Sequence, residues 1–339
     1  MISYKKFTQE DIDLANDVDI SEYCIANDIP LNQTSRKWSQ LADHDSCVIN
    51  RQKNVFYWNS KQQGGKAIEF VLLHKFDGDK RKFGEVVNHL LQGDWTMSSD
   101  VELPPEKPYE YKEWIESSDS TMAKKYLVET RGINPYLVNA LDNIGMLKQG
   151  KPYKNVEKNI DIPDTAIFKW IDPETNKVVG HNQQGLKATD GERSYKRTGR
   201  NVPENQGFSL MFGTPKNLKF FESTIDLLSY STLYDERNED SLLVSMEGLK
   251  DAVCEEYIKK AAAIQVKEQG HVNLESISFC VDNDTAGRNF LEKENGIYQR
   301  LLQLKPGQEG RVITEIPPVG KDWNDTLLSE KPEQEIDIM

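Results

Sequence analysis

The stretch Phe279-Cys-Val-Asp-Asn-Asp-Thr-Ala-Gly-Arg288 decides the reading of this chain. An apolar run of strand length, Ser276 to Val281, gives way to Asp282 and Asp284 and then to a helix-forming segment from Ala286. Working outward, the same signature recurs. Asn217 to Phe221 ends in Phe220-Phe-Glu222, Arg311 to Ile316 precedes Asp322-Trp-Asn-Asp325, and Ser241 to Met246 forms a further apolar run between them. Helical stretches near Ile225 to Tyr234, Lys250 to Lys267 and Ala286 to Leu304 separate these strands, the alternation that a parallel βαβ sheet requires. Loops at the carboxyl ends of such strands converge on one crevice, so acids distant in sequence can share a site.

Convergent carboxylates suit a hard cation. Mg²⁺ takes a few carboxylates together with water and substrate phosphate oxygens, and two such ions stabilise both attacking and leaving oxygens in phosphoryl chemistry. Taken alone, an Asp-x-Asp is more often an ordinary pair of turn acids, and the weight of the argument rests on the full pattern.

At 339 residues the chain exceeds the usual size of one core, so two or three compact units are expected. Charged residues make up 29% and hydrophobic ones 37%, the balance of a folded protein. The N-terminus lacks the apolar stretch of a signal peptide and no run has membrane-spanning length, which implies a cytoplasmic protein with no membrane partner. Cys24, Cys47, Cys254 and Cys280 form no CxxC pair, which suggests reduced thiols. A net charge of -13 argues against nucleic-acid binding by the whole surface. Locally the balance reverses. Between Pro30 and Gly84 the cations Arg36, Lys37, Arg51, Lys53, Lys61, Lys66, Lys75, Lys80, Arg81 and Lys82 outnumber Asp43, Asp45, Glu69, Asp77 and Asp79.

Five segments follow from composition and pattern. Residues 1–94 read as a small unit with a helix near Ile20 to Asn27, a hairpin of Ser46 to Asn50 with Asn54 to Trp58, and helices from Ala67 to Lys75 and Phe83 to Leu91. Residues 95–114 have the composition of a linker. Residues 115–215 carry two helices, Ser120 to Glu129 and Pro135 to Leu141, and a hairpin of Ala166 to Ile171 with Lys177 to Gly180. The sheet described above occupies 216–330, and 331–339 is an acidic tail.

Strand-Glu222-x-x-x-Asp226 followed by strand-Asp282-x-Asp284-x-Ala286-Gly287-Arg288 resembles the Toprim domain shared by bacterial primases, topoisomerases and several nucleases. The DnaG-type primase family carries FVEGYMD-like, YDGDRAGR-like and Lys-Asp-Pro-Asp-like strings. Here they read Phe220-Phe-Glu-Ser-Thr-Ile-Asp226, Val281-Asp-Asn-Asp-Thr-Ala-Gly-Arg288 and Lys321-Asp-Trp-Asn-Asp325, departing at Ser223-Thr224 where the family usually has glycine. The resemblance implies that Glu222 is the catalytic acid or base and a metal neighbour. It further implies that Asp282 and Asp284 hold Mg²⁺ or Mn²⁺, with Asp226, Asp322 and Asp325 supporting.

Tyr126-Leu-Val-Glu-Thr-Arg-Gly-Ile-Asn-Pro135 resembles the segment that opens the primase catalytic core, which makes Lys196, Arg197 and Arg200 candidates for nucleotide or template contact; a solvated basic loop is the competing reading. Phe56 to Val71 resembles the primase zinc-binding domain with Asn59 and Gln62 where thiolates belong, so no structural zinc is expected. Arg36, Lys37, Arg51, Lys53, Tyr57, Trp58 and Lys61 suit single-stranded DNA by phosphate pairing and base stacking. Trp38, Tyr57 and Trp58 equally suit a core that replaces the metal.

The implied fold is multi-domain α+β and α/β: a degenerate zinc-ribbon-like N-terminal unit, a small α+β module and a C-terminal Toprim sheet, Rossmann-like and parallel. The combination is similar to the LtrC-type Toprim proteins of Gram-positive conjugative elements. The helical part of the primase core and a helicase-binding domain are expected to be absent after Asp325. The implied function is DnaG-like nucleotidyl transfer on single-stranded DNA with NTPs, with a relaxase, helicase or other replication or transfer protein as partner. A Toprim nuclease or nickase, and a non-catalytic DNA-binding accessory, are the alternatives.

Overall fold

The computed structural model describes residues 7–33, 38–93, 95, 108–155, 160–186, 195–304 and 311–330. Arg36 and Lys37, most of the 95–114 linker and the 331–339 tail lie outside the described residues. The chain divides into two compact units, Met1–Lys107 and Pro108–Met339.

In the first unit, helices α1 (Gln9–Asp17) and α2 (Ile20–Ala26) precede strands β1 (Leu31–Gln33), β2 (Trp38–Leu41), β3 (Cys47–Asn50), β4 (Val55–Trp58) and β5 (Gln63–Gly65), and α3 (Ala67–Phe76) and α4 (Phe83–Gln92) follow. The five strands form one antiparallel sheet in chain order, of which the sequence reading found only the β3–β4 hairpin. Side chains alternate along β4, so Phe56 and Trp58 enter the core while Tyr57 faces outward. Helix α3 is apolar nearly all round and is the centre of that core, packed with Tyr23, Cys24, Cys47 and Ile49.

The second unit opens with α5 (Thr121–Lys125), continued by a π-helical turn over Tyr126–Thr130, and α6 (Pro135–Asn143). Strands β6 (Leu147–Gly150), β7 (Tyr153–Asn155), β8 (Ile160–Ile162), β9 (Thr165–Ile171), β10 (Val178–Gly185) and β11 (Lys196–Thr198) come next. Of these, β11-β10-β9-β6 make a four-stranded antiparallel sheet. The last sheet comprises β12 (Ser209–Phe212), β13 (Asn217–Phe221), β14 (Ser241–Ser245), β15 (Ser276–Cys280) and β16 (Arg311–Thr314), in the order β12-β14-β13-β15-β16. Strands β13 to β16 run parallel and β12 closes one edge antiparallel. Helices α7 (Thr224–Leu233), α8 (Asp251–Gln269), α9 (Thr285–Glu292), α10 (Ile297–Leu302) and α11 (Trp323–Glu330) complete the unit.

Two details depart from expectation. The helix anticipated over Ala286 to Leu304 is broken in two, because Asn295 adopts a left-handed φ of 57° and Gly296 starts α10 afresh. The edge strand β12 comes from residues read as part of the preceding module. Its pairing with β14 is local in space but skips β13 in sequence, which periodicity does not report.

Candidate active site

The order in which strands are added reverses about β13: β14 lies on one side of it and β15 on the other, so the crevice of this sheet opens between the carboxyl ends of β13 and β15. Phe221 is in register with Cys280, which sets Glu222 and Asp282 beside each other just past the strand ends. Local hydrogen bonds hold the loop after each strand. Ser223 caps α7, accepting from the Asp226 N–H at 3.3 Å while its hydroxyl donates to Asp226 Oδ2 at 2.5 Å. Asp284 caps α9 by accepting from the Gly287 N–H at 2.9 Å. Position 287 has no room for a side chain, since a Cβ there would stand 2.2 Å from the Asp282 carbonyl oxygen. Asp322 Oδ1 accepts from the Asp325 N–H, and Asp325 Oδ2 from the Lys321 N–H, both at 2.8 Å. Asp325 is thereby turned into the backbone of its own turn, the work of a helix-start acid.

The remaining acids repel one another. Burial, then Asp226, Glu222 and Asp322, push Asp282 up to about 8. Asp226 is raised to about 7 by burial, against the Ser223 hydrogen bond and with Asp322 adding to the rise. Glu222 is raised by burial and by Asp284. Asp284 is held below the usual carboxylate range by the Gly287 N–H and by Lys321, whose Nζ lies 3.1 Å from Asp284 and 3.8 Å from Asp282. Glu222 Oε2 and Asp282 Oδ1 are buried and have no hydrogen-bond partner among the described residues. Two orphaned carboxylate oxygens at one crevice are the donor chemistry a hard divalent cation takes. Among the described residues no three His, Cys, Asp or Glu side chains stand gathered as a ready-made cage.

A cleft of about 280 Å³ runs from Glu222 to the antiparallel sheet of the same unit. Its far wall carries Asn182 and Gln183 of β10 and Lys196 and Arg197 of β11; Arg200 is exposed beyond β11 and is not among the lining residues. Arg197 Nη1 lies 3.4 Å from the Tyr153 hydroxyl, and Lys196 lowers the charging cost of Glu222, Asp226 and Glu247.

Residues 220–327 match the family described as Toprim-like. Uncharacterized protein pXO2-78 of Bacillus anthracis is 37% identical over 346 residues, covering 98% of this chain and 92% of that protein. The chain belongs to the family of pXO2-78. Its C-terminal part is a Toprim domain. At lower similarity, the primase fragment of the bacteriophage T7 primase-helicase protein aligns at 15% identity and a TM-score of 0.40, covering 84% of this chain and 90% of that one. The Aquifex aeolicus primase, with its zinc binding and RNA polymerase domains, aligns at 14% and 0.34, covering 96% and 83%.

Within this Toprim domain the sequence reading passed over Glu247. Strand β14 runs into Met246-Glu247-Gly248, the same strand-to-acid signature that flagged Glu222, and the Gly248 N–H donates to the Glu222 carbonyl at 2.9 Å. Asn182 and Gln183 were also missed; their signal is a polar run, His181 to Gln184, in a strand that buries every one of its last six residues. In the N-terminal unit the structure separates the proposed DNA-contact residues. Lys53 and Tyr57 are exposed, and Arg51 is half-buried beside Ser21 and Ser39. Lys61 pairs with Asp77 at 2.9 Å and lies over the Trp58 ring at 4.4 Å. Trp58 itself is 3% exposed, which withdraws its ring from stacking on a base. Asn59 donates to the Ser46 carbonyl at 3.0 Å.

Proposed function

We propose that this chain is a DnaG-like, metal-dependent nucleotidyltransferase that acts on single-stranded DNA, and that Glu222 and Asp282 are the centre of its site. The observation that carries the reading is the pair of buried, unpartnered oxygens, Glu222 Oε2 and Asp282 Oδ1, at the crevice of a Toprim domain that opens onto a cleft with Lys196 and Arg197 opposite. Glu222, Asp282 and Asp284 would hold Mg²⁺ or Mn²⁺, which when bound supplies electrostatic stabilisation of the phosphoryl oxygens. Lys196 and Arg197 orient the triphosphate from the far wall. In this reading Glu222, raised by burial, takes a proton from the attacking 3′-hydroxyl. Arg51, Lys53, Tyr57 and Lys61 contact the template strand in the same proposal, as do Arg36 and Lys37. A plasmid or conjugative-element setting, likeness to the LtrC-type proteins, and a relaxase or helicase partner complete it.

Ribonucleotide incorporation on single-stranded templates with Mg²⁺ or Mn²⁺ tests the assignment. Glu222→Gln and Asp282→Asn should each lower it on the order of 100-fold, as loss of a fixed charge at a reacting phosphate does. Undiminished incorporation in both variants rejects the site. Cleavage of DNA with no nucleotide present would instead assign the same acids to water activation.

A further inference from the structure

Glu247 is a carboxylate where a phosphate-handling cleft has little use for one. It follows β14, whose Ser245 is in register with Phe221 of β13, and the Gly248 N–H donates to the Glu222 carbonyl at 2.9 Å, so Glu247 and Glu222 stand at the ends of adjacent strands. Its Oε1 accepts from the Thr224 hydroxyl at 2.5 Å and the Ser245 hydroxyl at 2.9 Å. Those two bonds fix the side chain and leave Oε2 with no hydrogen-bond partner among the described residues. The backbone there is left-handed, with φ of 50°, a conformation that favours glycine and costs a glutamate stability. A second acceptor belongs to the same cleft lining: Gln183 is 5% exposed and its Oε1 has no hydrogen-bond partner among the described residues.

A cleft with a cationic rim and two waiting acceptors fits a ligand that carries both phosphate and hydrogen-bond donors. Geometry narrows which donor meets Glu247. A nucleotide whose reacting phosphate lies at Glu222 reaches the neighbouring strand end with the next group along its chain, the sugar, and carries its base farther. We propose that Glu247 reads the sugar: its Oε2 accepts a hydrogen bond from a ribose 2′-hydroxyl, so that the cleft takes ribonucleoside triphosphates in preference to deoxyribonucleoside triphosphates. This assignment rests on the nucleotidyl-transfer reading of the cleft.

Equilibrium binding of ATP, dATP, GTP and dGTP to the full chain, with Mg²⁺ and without template so that no turnover occurs, tests it. The wild-type protein should bind each ribonucleotide about tenfold tighter than its deoxy counterpart, the worth of one hydrogen bond to a charged group. In Glu247→Gly the ratio should fall to near one for both bases. Glycine relieves the left-handed backbone, which offsets the loss of the Thr224 and Ser245 hydrogen bonds, and a melting temperature within a few degrees of wild type shows that a collapsed ratio is not a folding defect. A ratio near one in the wild-type protein, or an unchanged ratio in Glu247→Gly, overturns the assignment of Glu247 alone. Failure of the wild-type protein to bind any of the four overturns the nucleotidyl-transfer reading with it.

Discussion

Asp282 lies just past strand β15 with one oxygen unpartnered among the described residues and with burial, Asp226, Glu222 and Asp322 raising the cost of its charge. Without a cation, that charge is a burden on the fold; with one, it is a ligand. Asp282→Asn should therefore raise the stability of the metal-free protein on the order of 1 kcal/mol, since the amide can donate to neighbouring carboxylates and carries no charge. It should also shrink the rise in melting temperature that Mg²⁺ causes in the wild-type protein, because that rise measures binding to the native state. Thermal melts with and without Mg²⁺ check both, and a variant less stable than wild type in the absence of metal would contradict the repulsion argument. The motif made Asp282 visible in the sequence. It could not show which of six acids face the crevice, because that depends on the turns that carry them: Asp325, expected to support the metal, is taken up by the Lys321 N–H.

Elements decide how firmly these side chains are aimed. Helix α7 begins at Ser223, whose hydroxyl both caps the helix and holds Asp226. Ser223→Ala should cost about 1 kcal/mol, the usual worth of an N-cap, and should lower activity further by freeing Asp226. Denaturant melts and incorporation assays separate the two effects. On the facing sheet, His181 of β10 is buried with its Nδ1 2.8 Å from the Tyr109 hydroxyl. Burial, then Arg197 and Lys169, lower it from 6.5 to about 4. Above pH 6.5 the ring is neutral in both folded and unfolded chains. Between 6.5 and 4 the unfolded chain takes up a proton that the folded one refuses, so stability falls as the pH drops through that window. His181→Phe should flatten the slope there; an unchanged slope would mean that the ring is protonated in the fold. The strands of the parallel sheet were legible from alternation of apolar runs with helix-length segments. Strands β1, β2, β5 and β12 were not, being three or four residues long and paired by partners that no local period identifies.

At the scale of the molecule, the second unit holds its antiparallel sheet to its parallel one through a buried ion pair. Lys260 of α8 reaches Asp172, at the end of β9, at 2.6 Å, and Gln206 at 2.7 Å, with both charged side chains less than a tenth exposed. Burial alone would raise Asp172, yet Lys260 and the Thr175 contacts hold it below its ordinary value. Lys260→Ala leaves that carboxylate buried without its cation and should cost about 3 kcal/mol or more. Because the pair secures the wall opposite Glu222, nucleotide affinity should fall as well. Denaturant unfolding together with nucleotide binding checks this, and a loss under 1 kcal/mol would remove the pair from the account.

What the sequence by itself determined is the parallel sheet, the acids at its strand ends and the antiparallel β3–β4 hairpin, because each is written in local period and turn chemistry over a few residues. Tertiary structure alone decided that Trp58 is core and Tyr57 surface. It also decided that Asp325 serves its own turn, and that Glu247 and Gln183 share a cleft with Glu222. Those outcomes depend on which strand lies beside which and which face is covered, and such pairings are fixed by burial across long sequence separations rather than by neighbours along the chain.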